Sequence, residues 1–97
     1  MEKIVCSAIH CNTGEKIVHQ PINIDYGIVF CALRHHTCMT LRKEAGIPVT
    51  TPTTQGFITD NNRFVDRVEA YLIALKANQI TRGKTHHKYE LFSEDIY

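Results

Sequence analysis

Residues 56–69, GFITDNNRFVDRVE, decide the fold. Two strand-like runs, 56–59 and 63–65, flank Asp60-Asn61-Asn62, three residues that favour tight turns and tolerate positive φ. This pattern predicts a β-hairpin. Directly after it, Asp66 is placed to accept hydrogen bonds from the first-turn amides of a helix, and Glu69 is placed to reach back to the cap amide. The hairpin is therefore expected to lead straight into a capped helix.

This helix is predicted to cover about residues 67–78. Its apolar side chains recur at helical spacing and form one stripe of the kind that faces a core, namely Val68, Tyr71, Leu72 and Leu75. The tail beyond residue 80 is polar and carries lysine and histidine before it ends in YELFSEDIY, residues 89–97. The aromatic residues of that ending, Tyr97 included, predict that the tail docks on the domain.

A second hairpin is predicted at the start of the chain. The runs 3–10 and 16–19 share a β-branched character, and the turn-forming sequence Asn12-Thr13-Gly14 lies between them. Pro21 lacks the amide hydrogen that a sheet ladder needs. The segment around Pro21 is therefore expected to be an extended edge or the approach to the next element.

The middle of the chain carries another helical pattern, which predicts a helix over about residues 27–45. The apolar residues at helical spacing are Phe30, Leu33, Cys38, Leu41 and Ala45. Gly46 and Pro48 form a stop signal, because glycine accepts the left-handed conformation and proline cannot continue a helix. An alternative interpretation makes residues 28–33 a strand and starts the helix near Arg34. Residues 48–55 are expected to connect elements.

Together these elements predict an α+β fold. Two β-hairpins form a small antiparallel sheet that packs with two α-helices, about 27–45 and 67–78. Ninety-seven residues suffice for one hydrophobic core and not for two, so residues 1–97 are predicted to be a single domain.

Composition narrows the classes of function. The chain is 43% apolar and 22% charged, as in an ordinary globular protein, and its formal net charge is +1. The near-neutral charge and the absence of a lysine or arginine block argue against stable binding to nucleic acid or to an anionic membrane. No run approaches the roughly 20 apolar residues that span a bilayer, and the start lacks the apolar region of a signal peptide. A cytoplasmic protein is expected.

The four cysteines suggest two alternatives that involve chemistry. In a cytosolic protein they are expected to be free thiols, since disulfides are rare there. Cys31 and His35, one turn apart on the predicted helix, suggest half of a tetrahedral zinc site. Cys38 beside His35 suggests a thiol hydrolase, but nothing nearby supplies oxyanion donors. We expect packed cysteines and exposed histidines, with neither metal nor catalysis.

A compact anionic ligand fits the remaining residues best. Arginine offers planar, bidentate contacts to phosphate, and aromatic rings stack on nucleotide bases. The candidate ligand-binding residues are Arg34, His35, Phe57, Asn62, Arg63, Phe64 and Arg67. In the competing interpretation, which the sequence alone favours, the two phenylalanines fill the core and the arginines are solvated.

A family resemblance adds to this interpretation. The ordered motifs that carry it are AIH (8–10), HQP (19–21), RHHTC (34–38), QGF (55–57), NRFVDRVEA (62–70) and SED (93–95). In this order the chain resembles small bacteriophage proteins, in particular the phage Thoeris anti-defence family of cyclic-nucleotide sponges. The similarity covers nearly the whole chain, although no single motif is diagnostic.

The resemblance implies a phage-encoded immune-evasion protein of the host cytoplasm. Such a protein binds a cyclic ADP-ribose isomer, or cyclic di- and trinucleotides, and withholds it from its receptor without degrading it. The resemblance implies no enzymatic turnover and no cofactor. It also implies a homo-oligomer, either a dimer or a hexamer of dimer units. A small nucleic-acid-binding phage regulator, a Cys/His hydrolase and a zinc-stabilised domain remain the alternatives.

Overall fold

A four-stranded antiparallel sheet forms the centre of the protein. The computed structural model describes residues 1–81 and 89–96. Its strands are β1 (Ile4–Cys11), β2 (Ile28–Ala32), β3 (Thr53–Thr59) and β4 (Phe64–Asp66). They lie side by side in the order β2-β1-β3-β4, so the first strand is central and pairs with both β2 and β3. The fold is α+β, as predicted.

The hairpin predicted in residues 56–66 is confirmed. Strands β3 and β4 pair with Phe57 opposite Val65. Asn62 adopts a left-handed φ of 59°, and the amide of Thr59 donates to the carbonyl of Arg63 at 2.9 Å. The turn therefore forms where residues that tolerate positive φ occur in the sequence.

The first predicted hairpin is wrong in its second strand. Residues 16–19 lie in a long loop, and β1 pairs with β2 instead. The loop runs to the free edge of β4, where the side chain of Asn23 bonds both the amide and the carbonyl of Phe64, at 2.8 and 2.7 Å. These long-range bonds satisfy an otherwise unpaired sheet edge, and no local pattern reveals them.

The helix predicted over residues 27–45 begins too early. Residues 28–32 form β2, and the helix α1 covers His35–Glu44. Arg34, at the N-cap, has an extended backbone, so the alternative interpretation with a strand before the helix is the correct one. The β-branched residues of β2 gain a partner in β1, which outweighs the helical spacing of the same apolar residues. Gly46, with φ of 79°, ends the helix region as predicted.

The segment predicted to connect elements, residues 48–55, is partly strand. Strand β3 begins at Thr53, so only residues 48–52 of this segment belong to the connection between α1 and the sheet. The prolines lie before the strand, where their missing amide hydrogen removes no ladder bond.

The predicted capped helix is confirmed as α2 (Arg67–Lys76). Oδ1 of Asp66 accepts from the amide of Glu69 at 2.9 Å, which satisfies one of the free donors of the first turn. The carboxylate of Glu69 does not return to the cap amide; it accepts a hydrogen bond from Arg63 instead. The helix ends two residues earlier than predicted, and Asn78 follows it with a φ of 58°.

The apolar stripe predicted to face the core is largely exposed. Ala70 and Ala74 are fully buried against the sheet, whereas Val68, Leu72 and Leu75 are 50%, 59% and 55% exposed. Small alanine side chains let the helix backbone approach the sheet closely. The larger aliphatic residues are therefore left on the outer side, and of the predicted stripe only Tyr71 packs against the core.

Two buried clusters hold the helices on the sheet. Ile9, Cys11 and Cys38 form the cluster under α1. The cluster under α2 consists of Ile4, Phe57, Val65, Ala70, Ala74 and Leu91. Because Ile9 and Phe57 lie on the same face of the sheet by strand register, both helices cover that face.

The C-terminal segment docks on α2, as the aromatic residues of the ending predicted. Leu91 is fully buried, and its amide donates to the carbonyl of Arg67 at 2.9 Å. A short 3-10 helix, Ser93–Asp95, follows. Tyr97 and residues 82–88 lie outside the described residues. Among residues 1–81 and 89–96, no helix is long and apolar enough to cross a membrane.

Candidate functional site

The guanidinium of Arg67 is fixed in place where α2 begins. Nη1 donates to the carbonyl oxygen of Leu91 at 2.7 Å, and Nη2 donates to Oε1 of Gln55 at 2.5 Å. The guanidinium also lies over the ring of Phe92, 4.0 Å from its centroid, in a cation–π contact. Burial lowers the pKa of Arg67, but an arginine stays charged in proteins. Arg67 is therefore a rigid, partly desolvated positive charge.

An open groove of about 410 Å³ begins at Arg67. It follows the first half of β3, because β4 pairs only with Gly56–Ile58 and leaves Thr53–Gln55 at the edge of the described sheet. Hydroxyl, amide, guanidinium and carboxylate groups line the groove together with one aliphatic side chain. The lining residues are Thr53, Thr54, Gln55, Asp66, Arg67, Val68 and Glu90. We call this the β3-edge groove.

The acidic residues of the β3-edge groove have different functions. Oδ1 of Asp66 is engaged in capping α2. Glu90 raises the pKa of Arg67 through its negative charge, which opposes the larger effect of burial. A carboxylate in this position can accept hydrogen bonds from sugar hydroxyls. The groove thus combines a donor for anions with an acceptor for hydroxyl groups.

Arg34 and His35 lie near the same C-terminal segment as Arg67. Nη1 of Arg34 donates to Oγ of Ser93 at 3.3 Å and lies 3.9 Å from a carboxylate oxygen of Glu94. The positive charge of Arg67 contributes to lowering the pKa of His35, although burial is the larger cause. The fold therefore brings three of the predicted residues, Arg34, His35 and Arg67, close to residues 91–95.

His35 is buried, which corrects the expectation that the histidines are exposed. Its Nε2 bonds the carbonyl of Gly56 at 2.7 Å, and because a carbonyl only accepts, Nε2 carries the proton. The ring packs edge-on against Phe57, with centroids 4.9 Å apart. Burial lowers the pKa of His35, so its ring is neutral at pH 7. Its hydrogen bond to Gly56 connects α1 to β3.

Arg63 is held by two carboxylates and does not line the β3-edge groove. Its Nε and Nη2 each donate to Glu2 at 2.9 Å, and Nη2 also donates to Glu69 at 2.9 Å. The hydrogen bonds from Arg63 and from the Thr59 hydroxyl lower the pKa of Glu2 to about 2. Both carboxylates raise the pKa of Arg63 further. In this structure Arg63 links Glu2, near the N-terminus, to the hairpin of β3 and β4.

The predicted stacking residues are core residues, which corrects that part of the site. Phe57 is 0% exposed, so neither face of its ring is open to a ligand. Phe64 is also buried, and its ring lies 5.7 Å from that of His10. Asn62 lies apart from Arg67, at a separate cavity of about 210 Å³ that it shares with His19. The competing interpretation of the phenylalanines is therefore the observed one.

The cysteines do not form the arrangements that the metal and hydrolase alternatives need. Cys31 lies on β2 and not on α1, so it is not one helical turn from His35. Within residues 1–81 and 89–96, no group of three or more His, Cys, Asp or Glu residues is placed to hold a metal ion. Cys38 is buried and its Sγ donates to the carbonyl of Ser7 at 3.6 Å. Burial raises the pKa of the Cys38 thiol, which opposes formation of a nucleophilic thiolate.

Sequence reasoning missed four residues of this region. Gln55 and Glu90 line the groove, while Phe92 supports the guanidinium of Arg67. Tyr89, next to Glu90 in the chain, is 65% exposed, and its ring makes an edge-on contact with that of Tyr71, with centroids 6.2 Å apart. The aromatic ending of the chain was a signal that this segment docks, but nothing in the sequence indicated which residue it docks against.

One comparison with known proteins gives a match. The family described as "Phage T4 y16D protein" matches residues 3–97, which is nearly the whole chain. No curated protein and no solved structure matches. The match agrees with the bacteriophage part of the resemblance, and the family's description carries no ligand, activity or partner.

Proposed function

We propose that this chain, which belongs to the phage T4 y16D protein family, binds a cyclic nucleotide immune signal and sequesters it unchanged. The binding would take place in the host cytoplasm and would block anti-phage defence. The ligand class is a cyclic ADP-ribose isomer or a cyclic di- or trinucleotide. Support for the ligand class comes from the sequence resemblance, and support for the site comes from the β3-edge groove.

The observation that carries the proposal is a fixed guanidinium at an open groove. A guanidinium has five N–H donors, and Arg67 uses two of them in the bonds to Leu91 and Gln55. The remaining donors are available for a phosphate or pyrophosphate. Because the Phe92 ring and the two hydrogen bonds already order the side chain, a ligand does not have to immobilise it, which favours affinity.

The other groups of the groove suit the rest of a nucleotide. The hydroxyl of Thr54 can donate to a phosphate oxygen, whereas the hydroxyl of Thr53 already donates to the carbonyl of Thr51 at 3.0 Å. Glu90 can accept from ribose hydroxyls. Tyr89 replaces the buried phenylalanines as the candidate for base stacking, since it precedes Glu90 in the chain and is 65% exposed, with its ring in edge contact with Tyr71. Arg34 supplies further positive charge near the same segment.

The lining of the groove supports binding without turnover. Its described residues include neither a thiol nor an imidazole, and of its two carboxylates, which are also general bases in many enzymes, Asp66 already caps α2 through Oδ1. Sequestration also requires affinity high enough to compete with a receptor. We expect a dissociation constant in the nanomolar range, about −12 kcal/mol.

The test is titration calorimetry with cyclic ADP-ribose isomers and cyclic oligonucleotides. Arg67→Lys keeps the charge but removes the planar fork, so it should weaken binding at least tenfold. Thr54→Trp should also weaken binding because it fills the groove from an exposed position. Lys3→Met is the control, since it removes one positive charge at the opposite end of β3. There the backbone amide of Lys3 donates to Oδ1 of Asp60, a bond that the substitution keeps.

Each variant is checked by circular dichroism so that a loss of binding is not confused with unfolding. Normal binding by Thr54→Trp would show that the ligand does not use the groove. A loss in Lys3→Met equal to that in Arg67→Lys would show that the effect is not specific to the groove. The ligand recovered after heating should have its original mass, and a cleaved product would identify an enzyme.

A further inference from the structure

Two cysteines are neighbours on the face of the sheet opposite the helices. Cys31 is paired directly with Ala8 in the β1–β2 ladder, and Cys6 precedes Ala8 by two residues, so both cysteines lie on the same face. Ile9 lies on the other face, where it packs in the cluster under α1. Cys6 and Cys31 are therefore diagonal neighbours on adjacent strands, a placement from which side chains can still interact.

The two thiols differ in exposure and in acidity. Cys31 is exposed, whereas Cys6 is partly buried. The pKa of Cys6 is raised to about 12, first by burial and then by the negative charge of Cys31 and a hydrogen bond with its side chain. Cys6 therefore stays protonated at pH 7. Because access and thiolate character decide which cysteine reacts, a reagent from solution should attack Cys31 first.

A hollow of about 210 Å³ gives small reagents access to Cys31. Cys31 lines it together with Ile58, which is paired with Cys6 in the β1–β3 ladder, so the hollow lies beside both cysteines. Residues 19–21 of the long loop also line it. Hydrogen peroxide is small enough to enter, since a molecule of water occupies only about 30 Å³ in the liquid.

We propose that Cys6 and Cys31 form a reversible disulfide when the protein meets hydrogen peroxide. The sulfur of Cys31 attacks one peroxide oxygen, the O–O bond breaks, and the thiol proton leaves with the other oxygen as water, which gives a sulfenic acid. The sulfur of Cys6 then attacks the sulfur of Cys31 and forms the S–S bond, while the sulfenic hydroxyl leaves with the Cys6 proton as a second water. The two thiols together lose two electrons, which the peroxide gains.

The electrostatics of the pair favour these two steps in this order. As a thiolate, Cys31 opposes the ionisation of Cys6 through its negative charge. Conversion of Cys31 to the sulfenic acid removes that charge. Cys6 therefore ionises more readily at the stage when it has to act as the nucleophile, and it is already next to the sulfur that it attacks.

The diagonal placement predicts a disulfide that is easily reduced. A relaxed disulfide joins Cα atoms about 4.4–6.8 Å apart, whereas diagonal neighbours on adjacent strands are about 7–8 Å apart. The bond therefore requires β1 to shift near Cys6, where its pairing with β3 is already irregular between Ile4 and Cys6. Strained, exposed disulfides are the labile ones, so a thiol reductant should restore the four free cysteines that the structure has.

Peptide mass spectrometry of the full chain after treatment with hydrogen peroxide at pH 7 tests the proposal. The wild-type chain should lose two hydrogens in a disulfide between Cys6 and Cys31, and dithiothreitol should restore them. Cys6→Ser should stop at a sulfenic acid on Cys31, which dimedone traps. Cys31→Ser should consume peroxide about tenfold more slowly, because it lacks the exposed thiol.

Cys38→Ala is the matched control, because it removes a fully buried thiol and should form the disulfide at the wild-type rate. A disulfide that joins two chains, a pairing other than Cys6 with Cys31, or a wild-type chain oxidised at Cys31 without any disulfide would overturn the proposal. So would a folded Cys38→Ala that forms no disulfide. Circular dichroism checks the fold of each variant, and the pairing found in the wild-type chain decides the question even where a variant fails to fold.

Discussion

Replacing Glu2 by Gln tests how the N-terminus is held. The carboxylate of Glu2 accepts two hydrogen bonds from Arg63 at 2.9 Å and one from the hydroxyl of Thr59 at 2.6 Å. Glutamine keeps the size of the side chain, but it has no charge and only one acceptor oxygen. The variant therefore removes the bidentate ion pair and leaves the surrounding packing in place.

The shift in the pKa of Glu2 sets an upper limit on the stability that Glu2→Gln can lose. A fall in the pKa from 4.5 to about 2 corresponds to at most about 3.5 kcal/mol, at about 1.4 kcal/mol per pKa unit. Solvent reaches part of the pair, and Arg63 keeps Glu69 as a second partner. We therefore expect Glu2→Gln to reduce the free energy of unfolding by about 1–2 kcal/mol at pH 7.

The pH dependence follows from the direction of the shift. A lowered carboxyl pKa contributes stability that is fully present above the unfolded value and is lost as pH falls through the folded value. The difference between wild type and variant should thus be constant above about pH 5 and should shrink between pH 4.5 and 2.

Unfolding by urea measures this difference in unfolding free energy, because urea is uncharged and does not screen the ion pair. Glu69→Gln is the control, since that carboxylate is about half exposed and makes one contact with Arg63, so its removal should cost at most about 0.5 kcal/mol. Equal urea midpoints for wild type and Glu2→Gln at pH 7, or a gap at pH 2.5 as large as the one at pH 7, would refute the reasoning.

Three further predictions concern the elements around the site. Asp66→Ala removes the cap of α2 and should lower the unfolding free energy by about 0.5–2 kcal/mol, measured by thermal melts; an unchanged melt would show that the cap is not needed. Leu91→Ala should cost about 2–5 kcal/mol and speed amide exchange in the C-terminal segment, and unaltered exchange would mean that this segment is not anchored there. His35 is buried and neutral, so stability should fall as pH drops below 6.5, because the unfolded chain takes up the proton more readily. In His35→Gln this part of the pH dependence should disappear, and a persisting slope would assign it to another group.

Local signals predicted the second half of the fold well. The turn at Asn62 and the cap at Asp66 each depend on a few neighbouring residues, so the sequence defines them directly. Strand β2 was misassigned because its apolar residues fit a helical period as well as a strand, and only pairing with β1 decides between the two. The buried side of α2 was misassigned because alanines, and not the larger residues, face the sheet.

For the candidate site, the sequence indicated residue types better than it indicated positions. Arg67 lines the groove, but Arg63 is occupied by Glu2 from the far end of the chain, and the two predicted phenylalanines are buried. The C-terminal segment brings Phe92 to Arg67 by a contact between distant parts of the sequence. Such long-range pairings depend on the whole fold, so a reading of local motifs cannot provide them.

Native mass spectrometry with a panel of cyclic ADP-ribose isomers and cyclic oligonucleotides tests the central claim most directly. We predict that one cyclic nucleotide binds at micromolar protein with the mass of the intact ligand, and that heating releases it unchanged. Thr54→Trp, with its groove filled, should lose the complex while Lys3→Met keeps it. A panel without any complex, or a ligand released in cleaved form, would contradict the account.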